Sequence, residues 1–286
     1  MTGFCDAESS FSVNLIHQKD KYYVRCTFKL GLNNRDKELL NRIAKFFGVG
    51  KVYTDGARSI QYVVQTVKDL EVIISHFDNY PLITQKKGDY ILFKEALSLV
   101  KNKDHLTKEG LQEIINIKAS LGFGLSEEIL NNFPHTTPVV RPVVSCPDKF
   151  DPYWVSGFVD GDGCFMIRTI KSSSYKLGYS TFLGFSIHQD VRDFNLMMKF
   201  EDFFNCGGIS LSSDKESCEY YVYKTQDILE KIIPFFVKYP LQSTKSLDFK
   251  DFCEASNIIR NKGHLTEEGF DRILEIKSFM NKNRYS

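Results

Sequence analysis

Two stretches of the chain alternate between apolar and polar positions. In the first stretch, one face carries Tyr22, Val24, Cys26, Phe28, Leu30 and Leu32, and the other carries Tyr23, Arg25, Thr27 and Lys29. In the second, one face carries Leu183, Phe185 and Ile187, and the other carries Ser180, Phe182, Gly184, Ser186 and His188. A period of two residues is typical of a β-strand with one buried face. The pattern therefore predicts long strands at about residues 22–32 and 179–189.

The same order of elements surrounds each long strand. A short helix and a strand precede it, and a helix, two further strands and three helices follow it. The other predicted ranges are strands at about 10–18, 51–54, 59–67, 164–171, 208–212 and 218–225, and helices at about 34–47 and 191–205. This order predicts an α+β fold, in which helices cover one face of an antiparallel sheet and leave the other face polar.

Short segments of the chain also repeat. The matching pairs are Thr2–Phe11 with Ser156–Phe165, Tyr80–Leu82 with Tyr239–Leu241, and Asn102–Gly110 with Asn261–Gly269. We therefore predict two tandem domains of one fold, at residues 1–121 and 153–286. The segment between them, residues 122–152, contains five prolines, which favour an extended, semi-rigid linker.

Positive charge is concentrated on the predicted sheets, although the whole chain has a formal net charge of only +1. Residues 14–35 contain five basic residues and one acidic residue, and residues 166–192 contain four and one. Basic strands of this kind attract nucleic-acid phosphates. No apolar run approaches the roughly 18 residues of a membrane span, which argues against a membrane partner. The seven cysteines include no C-x-x-C pair, which argues against structural zinc.

Each copy places two acidic residues where a short helix leads into a strand. These are Asp6 and Glu8 in the first copy and Asp160 and Asp162 in the second. A carboxylate at the negative end of a helix dipole is unfavourable unless a cation lies nearby. Because hard oxygen ligands suit Mg²⁺, a bound metal is the simplest candidate for that cation.

Small residues lie four positions apart on the same two helices. The pairs are Gly3 with Ala7, and Gly157 with Gly161. Such a stripe allows two helix backbones to approach closely. The sequence therefore predicts that these helices pair and bring the acidic residues of the two copies side by side.

These segments resemble the LAGLIDADG motif of homing endonucleases, in the single-chain form that carries two motif-bearing domains. The resemblance extends over nearly the whole chain, because the Tyr-Pro-Leu segments and the closing helices match as well. It implies a monomer that forms a pseudo-two-fold saddle and hydrolyses one phosphodiester in each strand of double-stranded DNA. The products would carry 3′ overhangs.

The resemblance also implies a role for individual residues. The metal ligands would be Glu8, Asp162, Ala7 and Gly161. Catalysis would depend on Glu8 and Asp162 together with Lys86, Lys245 and Gln189. The packing of the motif helices would depend on Gly3, Asp6, Gly157 and Asp160. The lysines would neutralise charge that develops on the phosphate, and Gln189 would order water, although the first copy has Leu32 there. Mg²⁺ is the expected metal, Mn²⁺ a plausible substitute, and Ca²⁺ is expected to bind without supporting cleavage.

The polar strand faces supply the candidate DNA contacts, because a β-ribbon fits the major groove. The candidates are Ser12, Asn14, Gln18, Tyr23, Arg25, Thr27, Lys29 and Gln61 in the first copy, and Arg168, Ser180, Phe182, Ser186, His188, Glu219, Tyr221 and Tyr223 in the second. Since the two faces differ at most positions, the predicted target is a long and nearly asymmetric duplex.

Both copies depart from the family pattern in their motifs. Ser9 replaces the usual glycine, and the first motif helix is about one turn shorter than the second; in the second copy, Asp162 replaces the more frequent glutamate.

Two alternatives on the same fold therefore stay open, an intron maturase that binds host intron RNA and a DNA-binding protein without cleavage. The resemblance suggests a mitochondrial, organelle-encoded protein, and no targeting peptide is visible. His105 and His264 are predicted to be structural.

Overall fold

The computed structural model describes residues 1–19, 21–122, 124–281 and 284. Contacts within the chain divide it into two compact units, Met1–Pro147 and Asp148–Ser286. We refer to them as the N-terminal unit and the C-terminal unit.

Both units follow the predicted order of elements. The N-terminal unit contains α1 (Thr2–Glu8), β1 (Ser9–Gln18), β2 (Lys21–Asn33), α2 (Lys37–Phe47), β3 (Lys51–Asp55), β4 (Ser59–Val64), α3 (Val67–Asn79), α4 (Lys86–Lys101), α5 (Lys108–Ala119) and α6 (Glu127–Asn132). The C-terminal unit contains α7 (Pro152–Asp162), β5 (Gly163–Lys171), β6 (Tyr179–Asp190), α8 (Phe194–Phe204), β7 (Gly208–Leu211), β8 (Ser217–Val222), α9 (Thr225–Asp227), α10 (Ile233–Lys238), α11 (Lys245–Arg260) and α12 (Glu267–Phe279).

Each unit contains one antiparallel four-stranded sheet. The strand orders are β1-β2-β4-β3 and β5-β6-β8-β7. The registers are equivalent as well, since Ser9 pairs with Leu30 in the first sheet and Gly163 pairs with Ile187 in the second. The α+β prediction is therefore confirmed.

The alternating apolar positions form the inner face of each sheet. In the N-terminal sheet, Val13, Phe28 and Leu30 are completely buried, as are Leu183, Phe185 and Ile187 in the C-terminal sheet. The helices α4 and α11 cover these inner faces through residues such as Phe93 and Phe252. Burial of this apolar surface holds the opposite, outer face of each sheet in a fixed orientation.

One helix of the C-terminal unit departs from regular α-helical geometry. Between α9 and α10, Ile228–Ile232 forms a π-helical segment that ends two residues before Pro234. Proline has no backbone N–H to donate, which disturbs the α-helical hydrogen bonds of the preceding turn. The corresponding helix α3 has Ser75 in place of Pro234 and is regular.

The predicted linker lies against the N-terminal unit, with which the contacts group residues 122–147. It contains the short helix α6, which the proline-based prediction of an extended chain did not anticipate. Arg141 donates hydrogen bonds to Asp89 Oδ1 (2.6 Å) and to the carbonyl of Gln85 (2.9 Å). The linker is therefore fixed at its centre to the start of α4. Among the described residues, no helix is long and apolar enough to cross a membrane.

Candidate active site and nucleic-acid interface

The two motif helices, α1 and α7, end at the start of the first strand of each sheet. Their buried carboxylates, Asp6 and Asp160, tie each helix to the loop after the Tyr-Pro-Leu segment. Asp6 accepts hydrogen bonds from the backbone N–H groups of Ile83 (3.1 Å) and Thr84 (3.2 Å) and from Thr84 Oγ1 (2.6 Å). The loop, held in this way, places Lys86 at the first position of α4.

The C-terminal unit repeats this anchor. Asp160 accepts hydrogen bonds from the backbone N–H of Gln242 (2.5 Å) and from Ser243, through both its N–H (3.1 Å) and its Oγ (2.5 Å). Burial raises the pKa of Asp160, and the hydrogen bonds oppose that rise. Lys245 then occupies the first position of α11.

The two lysines reach back to the C-terminal ends of the motif helices. Lys86 Nζ donates to the carbonyl oxygens of Cys5 (3.2 Å) and Ala7 (2.9 Å). Lys245 Nζ donates to the carbonyl oxygens of Val159 (2.9 Å) and Gly161 (2.6 Å). A cation at this end of a helix is electrostatically favourable. The ammonium groups thus supply part of the positive charge that the acidic helix ends require.

Glu8 and Asp162 are the last residues of α1 and α7, and both are half-buried. Gln189 Nε2, on β6, donates to Asp162 Oδ2. The N-terminal sheet has Leu32 at the equivalent position of β2, a side chain that cannot donate a hydrogen bond. Ser9, in place of the usual glycine, is buried and donates from Oγ to the carbonyl of Cys5 (2.6 Å).

The donor groups at each helix end suit a hard divalent cation. Each end offers one carboxylate, Glu8 or Asp162, and one backbone carbonyl, Ala7 or Gly161. A carbonyl oxygen has two lone pairs, so a hydrogen bond from lysine still leaves one for a metal. In the described part of the chain, no three His, Cys, Asp or Glu residues cluster as a metal site. So sparse a protein ligand set is compatible with Mg²⁺, which usually retains several waters and binds substrate phosphates.

The small residues of the motif helices differ in exposure. Gly3 is buried, whereas Ala7, Gly157 and Gly161 are half-buried. Pairing of the two helices through these residues stays a prediction.

The outer face of the N-terminal sheet is polar and largely exposed. Asn14, Gln18, Tyr23 and Arg25 are exposed, and Ser12, Lys29 and Gln61 are half-buried. Thr27 is different, because it is only 6% exposed and accepts a hydrogen bond from Gln65 Nε2 (3.4 Å) through Oγ1. Its burial disagrees with the predicted direct base contact.

The outer face of the C-terminal sheet is more aromatic. Arg168 and His188 are exposed, and Ser180, Phe182, Glu219, Tyr221 and Tyr223 are half-buried. His188 Nε2 lies 3.1 Å from Glu219 Oε1, and the rings of Tyr221 and Tyr223 stack with centroids 5.1 Å apart. Ser186 is completely buried, and its Oγ has no hydrogen-bond partner among the described residues. The predicted direct DNA contact of Ser186 therefore disagrees with its burial.

Two outer-face residues were missed from the sequence, Gln65 and Met166. Gln65 follows β4 on the same face as Gln61, and Met166 lies on β5 two positions before Arg168. Both residues continue the alternation with a period of two along their strands, so that pattern could have identified them. His105 and His264 precede Thr107 and Thr266, which accept N-cap hydrogen bonds from Gly110 and Gly269 as the structural interpretation expects.

Comparisons with known proteins give a consistent result. The profile of the LAGLIDADG endonuclease family matches residues 1–97 and 155–256. A relative from Neurospora crassa, named probable intron-encoded endonuclease 3, is 38% identical over 95% of this chain. The chain spans only 52% of that relative's length.

Two solved structures are also similar. The I-SmaMI LAGLIDADG homing endonuclease bound to cleaved DNA is 39% identical, with a TM-score of 0.96, and the match covers 99% of this chain and 96% of that one. I-SmaMI was also solved with an uncleaved DNA target in the presence of calcium ions. I-GzeII in complex with its DNA target is 40% identical, with a TM-score of 0.93 and coverage of 99% and 97%.

Proposed function

This chain belongs to the LAGLIDADG endonuclease family, and on that basis we propose that it is a site-specific, double-strand DNA endonuclease. The observation that carries the proposal is the motif-helix end, which is built twice from the same parts. In each unit, a buried aspartate anchors a loop, the loop places a lysine, and the lysine binds the carbonyl next to a half-buried carboxylate. A structural helix end has no need of that carboxylate.

We propose that Glu8 and Asp162, with the Ala7 and Gly161 carbonyls, hold Mg²⁺. When bound, the metal would polarise the scissile phosphate and lower the pKa of attacking water. Mn²⁺ is expected to substitute, and Ca²⁺ to support binding without cleavage.

The other site residues act on the phosphate and on the carboxylates. Lys86 and Lys245 place positive charge where the phosphate becomes more negative during hydrolysis. Gln189 fixes the direction of the Asp162 carboxylate through its hydrogen bond. Asp6 and Asp160 position the lysines and do not contact the substrate.

The DNA partner follows from the outer faces of the sheets. Exposed basic and amide side chains such as Arg25, Asn14 and Arg168 suit phosphates and base edges in the major groove. We propose that one chain acts as a monomer and cuts each strand once. A mitochondrial origin is proposed as well, because a relative from Podospora anserina, 47% identical over 38% of this chain, is named as a protein in an intron of the mitochondrial gene ND4.

A selection on randomised duplexes tests this proposal. The full chain is incubated with the library and Mg²⁺, in parallel with Glu8→Gln and with Glu38→Gln, a surface control on α2. We expect wild type and Glu38→Gln to enrich the same cleaved sequences, and Glu8→Gln to cleave none. Selective binding without cleavage by wild type would support the cleavage-deficient alternative, and affinity only for structured intron RNA would support the maturase.

A further inference from the structure

The two sheets differ most clearly at four equivalent positions of their outer faces. In the C-terminal sheet these positions hold Met166, Arg168, Gly184 and Tyr223, and in the N-terminal sheet they hold Ser12, Asn14, Thr27 and Gln65. The equivalence follows from the matched registers, because Phe28 pairs with Val64 as Phe185 pairs with Val222. One sheet therefore presents an arginine where the other presents an asparagine.

The arginine is held in place by its neighbours. Arg168 Cζ lies 5.5 Å from the centre of the Tyr223 ring, a cation–π distance, and Nε donates to Met166 Sδ (3.2 Å). Arg168 is exposed, whereas Tyr223 and Met166 are half-buried. Such support reduces the rotamer entropy that a flexible arginine loses on binding.

Gly184 makes this support possible. A Cβ atom at this position would lie 2.8 Å from Met166 Cγ and 2.9 Å from Tyr223 Cε1. Both distances are too short for carbon atoms, so any larger residue would displace the ring or the thioether beneath the guanidinium. The N-terminal sheet has Thr27 here, and Gln65 forms a hydrogen bond with it instead of supporting Asn14.

We infer that Arg168 reads a guanine in the half-site bound by the C-terminal unit, an inference that rests on the proposed endonuclease function. Guanine presents N7 and O6 in the major groove, and the guanidinium donates to both at once. Asn14 has an amide, which matches the N6 and N7 edge of adenine. The two half-sites therefore differ at equivalent positions, with guanine in one and adenine in the other.

Arg168 and Asn14 lie the same number of residues after the proposed metal-binding carboxylate of their unit. Arg168 follows Asp162 by six residues, as Asn14 follows Glu8. Since a strand rises about 3.4 Å per residue, and successive base pairs are about 3.4 Å apart, each base lies within roughly six base pairs of the scissile phosphate.

Base preferences measured by library cleavage, position by position, test the inference. Wild type is expected to prefer guanine at one position of the C-terminal half-site, and Arg168→Met to lose that preference by about tenfold or more while the other positions keep theirs. Tyr223→Phe, which retains the ring beneath the guanidinium, is expected to keep the guanine preference at that position. Tyr223→Leu is expected to weaken the guanine preference alone.

The outcomes separate this inference from the proposed function. If wild type cleaves selectively and Arg168→Met leaves every base preference unchanged, the inference is wrong and the endonuclease stands. A loss spread evenly over all positions would show a phosphate contact and would also overturn it. If wild type neither binds nor cleaves DNA, the proposed function itself fails. Arg168→Met lies on the exposed face, and unchanged thermal unfolding would confirm that the variant is folded.

Discussion

The motif-helix ends of the two units are nearly identical, whereas the outer faces of their sheets have little in common. At the helix ends, aspartate, lysine and carboxylate recur, and the aspartates and lysines bind equivalent partners in the two units. On the sheets, Asn14 corresponds to Arg168, and Gln65 to Tyr223. Under the proposed function, cleavage of two strands requires the same groups twice, while a nearly asymmetric target requires different base-contacting residues.

The largest expected effect is on the rate of cleavage, and it comes from the lysines that the two motif-helix ends share. Replacement of either Lys86 or Lys245 by Met removes the charge that we propose to act on the phosphate, so we expect cleavage to slow by about 100-fold or more in each case. Lys87→Met, one position further along α4, is the matched control. Cleavage rates on a selected target would measure this, and a large effect in only one unit would contradict the equivalence of the helix ends.

The buried anchors should matter for stability in both units. In Asp6→Asn and Asp160→Asn, an amide would face the backbone N–H groups that the carboxylate binds now, at a cost of about 1–3 kcal/mol each in the free energy of unfolding. Denaturant unfolding measures that cost. The surface variant Asp55→Asn is the control, and values near zero for both buried variants would show that the anchors are not needed.

The comparison can be sharpened at Gln189, which has no amide counterpart in the N-terminal unit. Gln189→Leu gives β6 the residue that β2 carries at Leu32, and removes the hydrogen bond to Asp162. We expect about a tenfold slower cut of one strand, so nicked DNA would accumulate before linear product. Gels that resolve both strands would show this, and equal slowing of both cuts would contradict a role confined to one unit.

A smaller difference concerns pH. Burial lowers the pKa of His76 from 6.5 to about 4, so its imidazole is neutral in the fold while the unfolded chain takes up a proton. Because solvent screens this half-buried imidazole, stability should fall by about 1 kcal/mol, less than the full pKa shift implies, as the pH drops from about 6.5 to 4. The C-terminal unit has Phe235 at this position, and His76→Phe should reduce the loss. An unchanged pH profile for that variant would exclude His76 as the cause.

The smallest effect should be the same in both units. Lys103 and Lys262 adopt a left-handed backbone, with φ of 68° and 59°, which disfavours lysine. Replacement by asparagine should raise the free energy of unfolding by about 0.5 kcal/mol. Thermal unfolding measures the gain, and a loss of stability would show that the lysine side chains have another role.

The sequence predicted the regular parts of the fold well. Alternation placed the strands within about one to three residues of their observed ends, because apolar burial on one face sets that period. Repetition located both helix ends and their acidic residues. The π-helical segment before Pro234 was missed, since its cause is a single residue inside an otherwise helical pattern.

Contacts between residues far apart in the chain could not be predicted from the sequence. The hydrogen bonds that Thr84 donates to Asp6 join residues far apart in the chain, and no local pattern marks such a pair. Burial of Thr27 and Ser186 depends on which neighbours lie over them, and alternation gives only the face. The fixed position of Arg141 against Asp89 likewise depends on folding of the linker.

The most direct test of the account is the effect of Glu8→Gln and Asp162→Asn on a target selected by the wild-type chain. DNA affinity with Ca²⁺ and cleavage with Mg²⁺ would be measured on the same duplex. We predict that both variants bind within about threefold of wild type and cleave at least about 100-fold more slowly. Cleavage near the wild-type rate by either variant would contradict the assignment of the helix-end carboxylates to catalysis.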